Sequence, residues 1–235
     1  MTPAPVVGND IVDLLDPRTA GKHADRRFIA RVLDDGERVA LSQAEDPAVA
    51  LWAFWAAKEA AYKVASKLRG APPLFAHAAF AVTWTESEPD GWAGRVAYEE
   101  LQIPVVVARS GAVIHAVAAF GAAVGSALLG SERLGEPPEA WNARLAELLP
   151  RFTEREADAV HSLPSAAVRI RARSALAAVL AAEEADLEIV CDPGVTGRRP
   201  PRVLLRGRAA PADVSLSHHG SWVAWAVLPQ NPTGR

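Results

Sequence analysis

The sequence of 235 residues contains one cysteine, Cys191, which excludes an intramolecular disulfide and a zinc site built from several cysteines. The chain also lacks a basic excess, because its formal net charge is -3, and this argues against a general nucleic-acid-binding protein. Its amino terminus lacks the basic region and apolar stretch of a secretion signal. We therefore expect a folded, cytoplasmic protein that binds neither nucleic acid nor membrane.

Charged residues are also absent from one long segment. Residues 111–130 contain no Lys, Arg, Asp or Glu, and about 20 uncharged residues is the length of a membrane span. The segment contains His115, Ser126, several glycines and few bulky apolar residues. This pattern favours two buried strands, at 113–120 and 123–129, around a Gly-Ala turn.

The chain divides into two halves that show the same order of elements. In each half an Arg-Phe pair opens a helical stretch, a long helix follows, and two strands come next. The predicted elements are helices at 27–41, 48–68, 139–149 and 165–182, and strands at 80–83, 113–120, 187–191 and 222–228.

A segment rich in Gly and Pro, residues 130–138, has the composition of a linker between the halves. Strands and helices do not alternate strictly, so the pattern predicts an α+β fold. We expect two similar lobes packed as a pseudo-dimer, with the active site in the cleft between them. The lobes span 1–122 and 139–235, and residues 123–138 hold the linker and a candidate first strand of the second lobe. Two lobes complete one cleft, which predicts a monomer.

The first segment with the residues of a chemical site is 6–14. Apolar residues on both sides of Gly8 and Asp10 favour a buried strand, and Gly8 permits close approach of a ligand or another backbone. Asp10 is then a carboxylate on rigid structure, as metal ligands usually are. The alternative is a strand-end Asp that faces solvent.

The second segment is the helical stretch 54–63. Steps of four residues place Trp55, Glu59 and Lys63 on one face, and Lys58 is adjacent to Glu59. A carboxylate and two ammonium groups that converge suit a metal-bridged diphosphate. The alternative is an exposed Glu59–Lys63 pair on a helix whose aromatic residues pack in the core.

The third segment, 214–227, has apolar strand sequences on both sides of a predicted polar turn. Ser217, His218 and His219 offer a hydroxyl and imidazoles that suit phosphate oxygens. Adjacent histidines point to different sides, so we expect one of them to bind. The alternatives are a hairpin with a packed His and a metal site.

The fourth feature is two clusters of arginine in an otherwise acidic chain. Arg169 and Arg173 share a helix face, and Arg199 precedes Pro200 in a Gly/Pro-rich loop. A planar guanidinium binds phosphate through two hydrogen bonds, so these clusters are candidate phosphate sites. The alternative is ordinary solvated arginines.

Together these segments resemble the 4'-phosphopantetheinyl transferase superfamily. The Gly-x-Asp strand at Asp10 and the Trp-x-x-Lys-Glu-Ala-x-x-Lys helix are similar to its two signature motifs, and Ser217-His218 resembles a third. The double-lobed members, similar to the surfactin-synthetase-activating enzyme, have these lobes in the opposite order. The sequence therefore resembles a circular permutation of them, or a single-lobed holo-acyl-carrier-protein synthase with an inserted lobe.

The resemblance implies transfer of 4'-phosphopantetheine from coenzyme A to a serine of an apo acyl or peptidyl carrier protein, with release of adenosine 3',5'-bisphosphate. Asp10 and Glu59 would hold Mg2+, with Mn2+ as a second candidate. Val12 stands where double-lobed members often have a second carboxylate, so water would complete the ion's shell. The base is Glu59 or a metal-bound water.

The remaining site residues are also implied by the resemblance. Lys58, Lys63, Ser217 and His218 would contact the diphosphate of coenzyme A, and Lys63 would also stabilise the departing phosphate. Arg173 and Arg169 would reach other phosphates of the coenzyme, and the Arg199-Pro200 loop would lie near its adenine. The alternatives are a non-catalytic descendant that binds coenzyme A or a carrier protein, and an enzyme with changed chemistry in the same cleft.

Overall fold

The computed structural model describes residues 3–73, 76–194 and 197–230, and the fold is α+β, as the sequence predicts. The helices are α1 Arg26–Val32, α2 Asp35–Gln43, α3 Pro47–Leu68, α4 Trp141–Leu148, α5 Glu154–Ala157 and α6 Leu163–Leu180. The strands are β1 Val6–Asp13, β2 Ala81–Glu88, β3 Gly91–Tyr98, β4 Leu101–Ser110, β5 Val113–Phe120, β6 Leu128–Arg133, β7 Leu187–Val190, β8 Pro193–Gly194, β9 Gly197–Arg198, β10 Arg202–Leu205, β11 Arg208–Ala209, β12 Ala212–His219 and β13 Trp222–Pro229.

An antiparallel five-stranded sheet, in the order β1-β5-β4-β3-β2, forms one layer, which we call the large sheet. Helix α3 packs across it, mainly against β1 and β5. The strands predicted at 80–83 and 113–120 are confirmed, whereas the hairpin of β3 and β4 is an addition to the prediction. One face of β4 is buried through Ile103, Val105 and Val107, as expected for period-two burial.

Helix α3 begins at a well-defined cap. The Asp46 carboxylate accepts a hydrogen bond from the Val49 N–H at 3.1 Å, and Pro47 occupies the first turn, where its missing N–H costs nothing. Alanines then line its buried face, so the helix can approach β1 closely. A Cβ at Gly8 would lie 2.0 Å from the Ala60 carbonyl oxygen, which confirms the predicted close approach of another backbone.

The helical stretch predicted at 27–41 is two helices. The break lies at Leu33 and Asp34, because Asp34 and Glu37 form a capping box that starts α2. The helices predicted at 48–68, 139–149 and 165–182 are confirmed with shifted ends, and no helix in the described ranges is both long and apolar enough to cross a membrane.

A second layer, which we call the small sheet, contains three strands in the order β12-β13-β6, and α6 packs against it. Strand β6 corrects the boundary of the strand predicted at 123–129, since a short 3-10 turn occupies Val124–Ser126 and the strand extends to Arg133. Its partner is β13, so residues 130–133 of the predicted linker are part of this sheet. The similarity of the two halves stays a prediction.

Strands β1 and β12 join the two sheets through side chains rather than through a backbone ladder. The N–H groups of Val7, Asn9, Ile11 and Asp13 donate to side-chain acceptors on β12 at 2.7 to 3.0 Å. Each donor lies 206 residues before its acceptor, so the two strands run in the same direction. The acceptors are the side chains of Asp213, Ser215, Ser217 and His219.

Candidate functional site

The centre of the site is Asp10, which β1 places at the junction of the two sheets. Its Oδ1 accepts hydrogen bonds from Ser217 Oγ at 2.9 Å and from Lys63 Nζ at 3.0 Å. Burial raises the pKa of Asp10, and the charge of Glu59 raises it further, whereas the Lys63 ammonium and the Ser217 hydroxyl oppose the rise. The structure thus brings together four of the residues predicted for the site.

A cavity of about 280 Å3 opens beside this cluster. Asp10 and Val12 of β1, Trp55 and Glu59 of α3, and His218 of β12 all line it. Helical spacing explains why Trp55 and Glu59 reach the same cavity, since residues four apart share a helix face. The strand with Asp10 and the helix with Glu59 were expected at one cleft, and β1 and α3 both line this cavity.

The two carboxylates give the cavity the donor set of a site for a hard cation. Asp10 and Glu59 both line the cavity with carboxylate oxygens. Oxygen ligands of this type suit Mg2+, which uses one or two carboxylates and keeps several waters. No group of three or more His, Cys, Asp or Glu side chains suited to a metal occurs in the described residues. An ion in this cavity would therefore have two protein ligands and would complete its shell with water or substrate.

Ser217, His218 and His219 lie on β12 and not in a turn, because the turn begins one residue later at Gly220. This corrects the predicted position. Side chains alternate along a strand, so the two histidines point to different sides, as predicted. His219 Nδ1 accepts the Asp13 N–H at 3.0 Å, and both residues border the cavity.

The imidazole of His218 is neutral at neutral pH. Partial desolvation of the ring lowers its pKa to about 4, although the residue keeps exposed surface, and the nearby positive charges of Lys63 and Arg169 lower it further. A neutral imidazole can donate one hydrogen bond to a group in the cavity.

A second cavity, of about 270 Å3, lies on the other side of Lys63. Tyr62 and Lys63 of α3, Arg199 and Pro200 of the loop before β10, and Leu216 of β12 line it. The Arg199-Pro200 loop was predicted to lie near the adenine of the coenzyme. It shares this cavity with Lys63, which donates a hydrogen bond to Asp10.

Lys58 is not part of the cluster. Its ammonium is fully buried on a different face of α3, where it donates to Glu37 Oε2 at 2.7 Å and to the His77 carbonyl at 3.1 Å. One residue along a helix is a rotation of about 100°, so a neighbour of Glu59 in sequence points elsewhere in space. The expectation that Lys58 and Glu59 converge is therefore wrong.

The two predicted helix arginines are also engaged within the protein. Arg173 donates to both carboxylate oxygens of Glu156, at 2.8 and 2.9 Å, and both of these residues are buried. Arg169 donates to the Ser165 carbonyl at 3.0 Å and points another nitrogen at Cys191 Sγ, 3.7 Å away. Neither arginine is among the residues that line the two cavities.

Two residues of the first cavity were missed from the sequence. Arg18 lines it from the loop after β1 and forms a two-pronged pair with Asp16, which lowers the pKa of Asp16 to about 2. Trp52 lines it from α3, one turn before Trp55. The step of three residues from Trp52 to Trp55 is a signal that helix periodicity offers, whereas nothing in the sequence places Arg18 here.

Comparison with known proteins agrees with the geometry of this region. No curated protein matches the chain. The match to a family model covers β1, α3 and β2, and hence both candidate metal ligands, Asp10 and Glu59, together with Lys63. Residues 6–89 of this chain match the model of the 4'-phosphopantetheinyl transferase superfamily.

Proposed function

We propose that this protein transfers the 4'-phosphopantetheine group of coenzyme A to a serine hydroxyl of an apo acyl or peptidyl carrier protein. The observation that carries the proposal is the convergence of Asp10, Glu59 and His218 on one cavity, in a chain whose residues 6–89 match the family model. In the reaction, the serine oxygen forms a bond to phosphorus, and the bond from phosphorus to adenosine 3',5'-bisphosphate breaks.

The charges around Lys63 support a diphosphate substrate. Lys63 lines the second cavity, and its ammonium donates to Asp10, which lines the first. We propose that the nucleotide half of coenzyme A occupies the cavity at Arg199 and Pro200, where a guanidinium can bind phosphate and a proline ring can pack on adenine. The diphosphate then lies at Lys63, next to Asp10.

Mg2+, or Mn2+ in its place, would be held by the carboxylates of Asp10 and Glu59. When bound, the ion neutralises the charge of the diphosphate and makes the phosphorus a better target for attack.

The protein side chains supply the remaining chemistry. The Glu59 carboxylate accepts the proton of the carrier serine, since it lines the cavity into which that hydroxyl must enter. The neutral imidazole of His218 donates a hydrogen bond to a phosphate oxygen, and the Lys63 ammonium stabilises the charge that develops on the leaving phosphate. Ser217 holds Asp10 in place and uses its hydroxyl proton to do so.

We also propose the finer arrangement that the sequence resemblance implies. The two halves are lobes of a permuted double-lobed enzyme that acts as a cytoplasmic monomer. Light scattering tests the monomer, because a mass of two or more chains that does not change with concentration would contradict it.

The test of the function is intact-mass spectrometry of an apo carrier protein after incubation with this protein, coenzyme A and Mg2+. We expect a mass gain of one phosphopantetheine. The Glu59→Gln variant and an EDTA-treated sample should show no gain, because each removes part of the proposed metal site. Glu86→Gln is the matched control, since Glu86 is exposed on β2, and it should keep full activity.

Several carrier proteins, of both the acyl and the peptidyl type, belong in the same experiment. If none gains mass while calorimetry detects binding of coenzyme A, the transferase is refuted and a coenzyme-binding module is supported. A gain that persists in Glu59→Gln or in EDTA would refute the proposed roles of Glu59 and of the metal.

A further inference from the structure

The contact between β1 and β12 raises a question of register. It consists of four hydrogen bonds from backbone N–H groups of β1 to side chains of β12, and we call each of these bonds a rung. Two of the four acceptors, Ser215 and Ser217, are chemically identical. A slip of β12 by two residues would leave the N–H groups of Asn9 and Ile11 facing side chains that can still accept hydrogen bonds. The serine rungs therefore do not select one register.

One rung differs from the others because it is ionic. The Asp213 carboxylate accepts the Val7 N–H at 2.7 Å and also the Lys67 ammonium at 2.7 Å. The same ammonium donates to the carbonyls of Val7 and Val214, at 2.7 and 2.6 Å. Lys67 thus binds both strands from α3, and its side chain is 6% exposed.

A slipped register would separate these two charges. Asp213 and Lys67 are both buried, and a buried charge that loses its partner is strongly unfavourable. By contrast, the serine rungs would exchange one acceptor for another at little cost. The ion pair thus acts as a single polar contact that specifies alignment, as one buried polar residue does in a coiled coil.

Register matters for the site because a slip by two residues would put Ser215 or His219 in the place of Ser217 at Asp10 and would move His218 away from the cavity. Ser217 Oγ accepts the Ile11 N–H at 2.9 Å and donates to Asp10 Oδ1 at 2.9 Å. Asp213 lines neither of the two cavities near Asp10, whereas Lys67 lines the second one. We propose that Asp213 and Lys67 are positioning residues, which fix the register of β1 against β12 and so hold Ser217 at Asp10.

The effect on catalysis rests on the transferase proposed above, whereas the register itself can be measured without any activity. The central variant is Asp213→Asn, which keeps an oxygen to accept the Val7 N–H and removes the charge. Amide hydrogen exchange, followed by NMR, reports on the rungs directly. We expect exchange at Asn9 and Ile11 to rise roughly tenfold relative to Ala60, an amide in the buried part of α3.

Further variants separate register from stability. In the exchange measurement, Lys67→Met should act like Asp213→Asn, and Lys67→Arg should keep the protection of the native protein because it keeps the charge. Val227→Ala is the control for stability, since Val227 is fully buried on β13 and makes none of the hydrogen bonds that join β1 to β12. It should raise exchange of all core amides together.

In the transfer assay, we expect kcat per folded molecule of Asp213→Asn to fall about tenfold or more, with KM for coenzyme A little changed. Val227→Ala should keep the kcat of the native protein. The proposal is overturned if Asp213→Asn exposes Asn9 and Ile11 no more than Ala60, or if its kcat per folded molecule is unchanged. If the native protein transfers nothing, the proposed function fails, and the exchange pattern alone decides the register.

Discussion

Acid should destabilise this protein through His115, which lies on β5 beside β1. Burial lowers the pKa of His115 to about 4, from 6.5 for an exposed imidazole, and the Lys63 charge lowers it further. Its Nε2 lies 3.2 Å from the side-chain nitrogen Nδ2 of Asn9 and accepts a hydrogen bond from it in the neutral tautomer that carries its proton on Nδ1. The folded protein thus favours the neutral imidazole, whereas the unfolded chain binds a proton near pH 6.5.

The sign and size of the effect follow from this difference. A lowered His pKa gives stability that is complete above pH 6.5 and is lost as the pH falls towards 4. Linkage over the interval from about pH 7 to about pH 5 gives a loss of about 2 kcal/mol in the free energy of unfolding from His115 alone. Asn9 is itself fully buried, so water cannot replace the imidazole as the acceptor of its amide.

The assay is urea unfolding, followed by tryptophan fluorescence, at both pH values in the native protein and in His115→Gln. Glutamine keeps a polar side chain opposite Asn9 and does not titrate. The two proteins share every other ionisable group, so the difference in their pH dependence of the free energy of unfolding reports on His115. We expect His115→Gln to lose about 2 kcal/mol less than the native protein between the two pH values. Equal losses in the two proteins would refute the reasoning.

Two further predictions concern packing and charge around α3. Gly8→Ala should lower stability by about 1 to 3 kcal/mol in thermal unfolding, because its Cβ would lie 2.0 Å from the Ala60 carbonyl oxygen. Gly36→Ala, which has no such clash, is the control, and equal melting temperatures would contradict the prediction. Glu37→Gln should lower stability by about 3 to 5 kcal/mol in urea, because it leaves the buried Lys58 ammonium without its carboxylate. A loss below about 1 kcal/mol would contradict that account.

Much of the fold was predictable, because the long helices and central strands have strong local patterns. Helix α3 combines a cap, a proline in its first turn and a long run of alanine, and its prediction was wrong by one residue at the start. The break between α1 and α2 was missed, although Asp34 and Glu37 have the spacing of a capping box. The hairpin of β3 and β4 was missed although residues 103–108 of β4 are an apolar run; Gly94 in β3 and Pro104 in β4 are residue types that argue against a strand interior.

The candidate site was predictable where one element determines the geometry. Trp55 and Glu59 share a helix face, and the structure brings them to one cavity with Asp10. Lys58 was misassigned because its environment depends on Glu37, which comes from a different helix and accepts its ammonium in the core. Such partners across the fold leave no local signal in the sequence.

The contact between β1 and β12 also has a consequence for synthesis on the ribosome. Its donors and acceptors are 206 residues apart, so translation at about 5 to 20 residues per second needs about 10 to 40 s to supply the partner strand. Until then the outer edge of the first strand is open, and edges of this kind attract other chains. Contacts between distant parts of a chain also slow folding. Nascent chains of this protein therefore pass through a period in which the first strand is made but the pocket for its carboxylate does not yet exist.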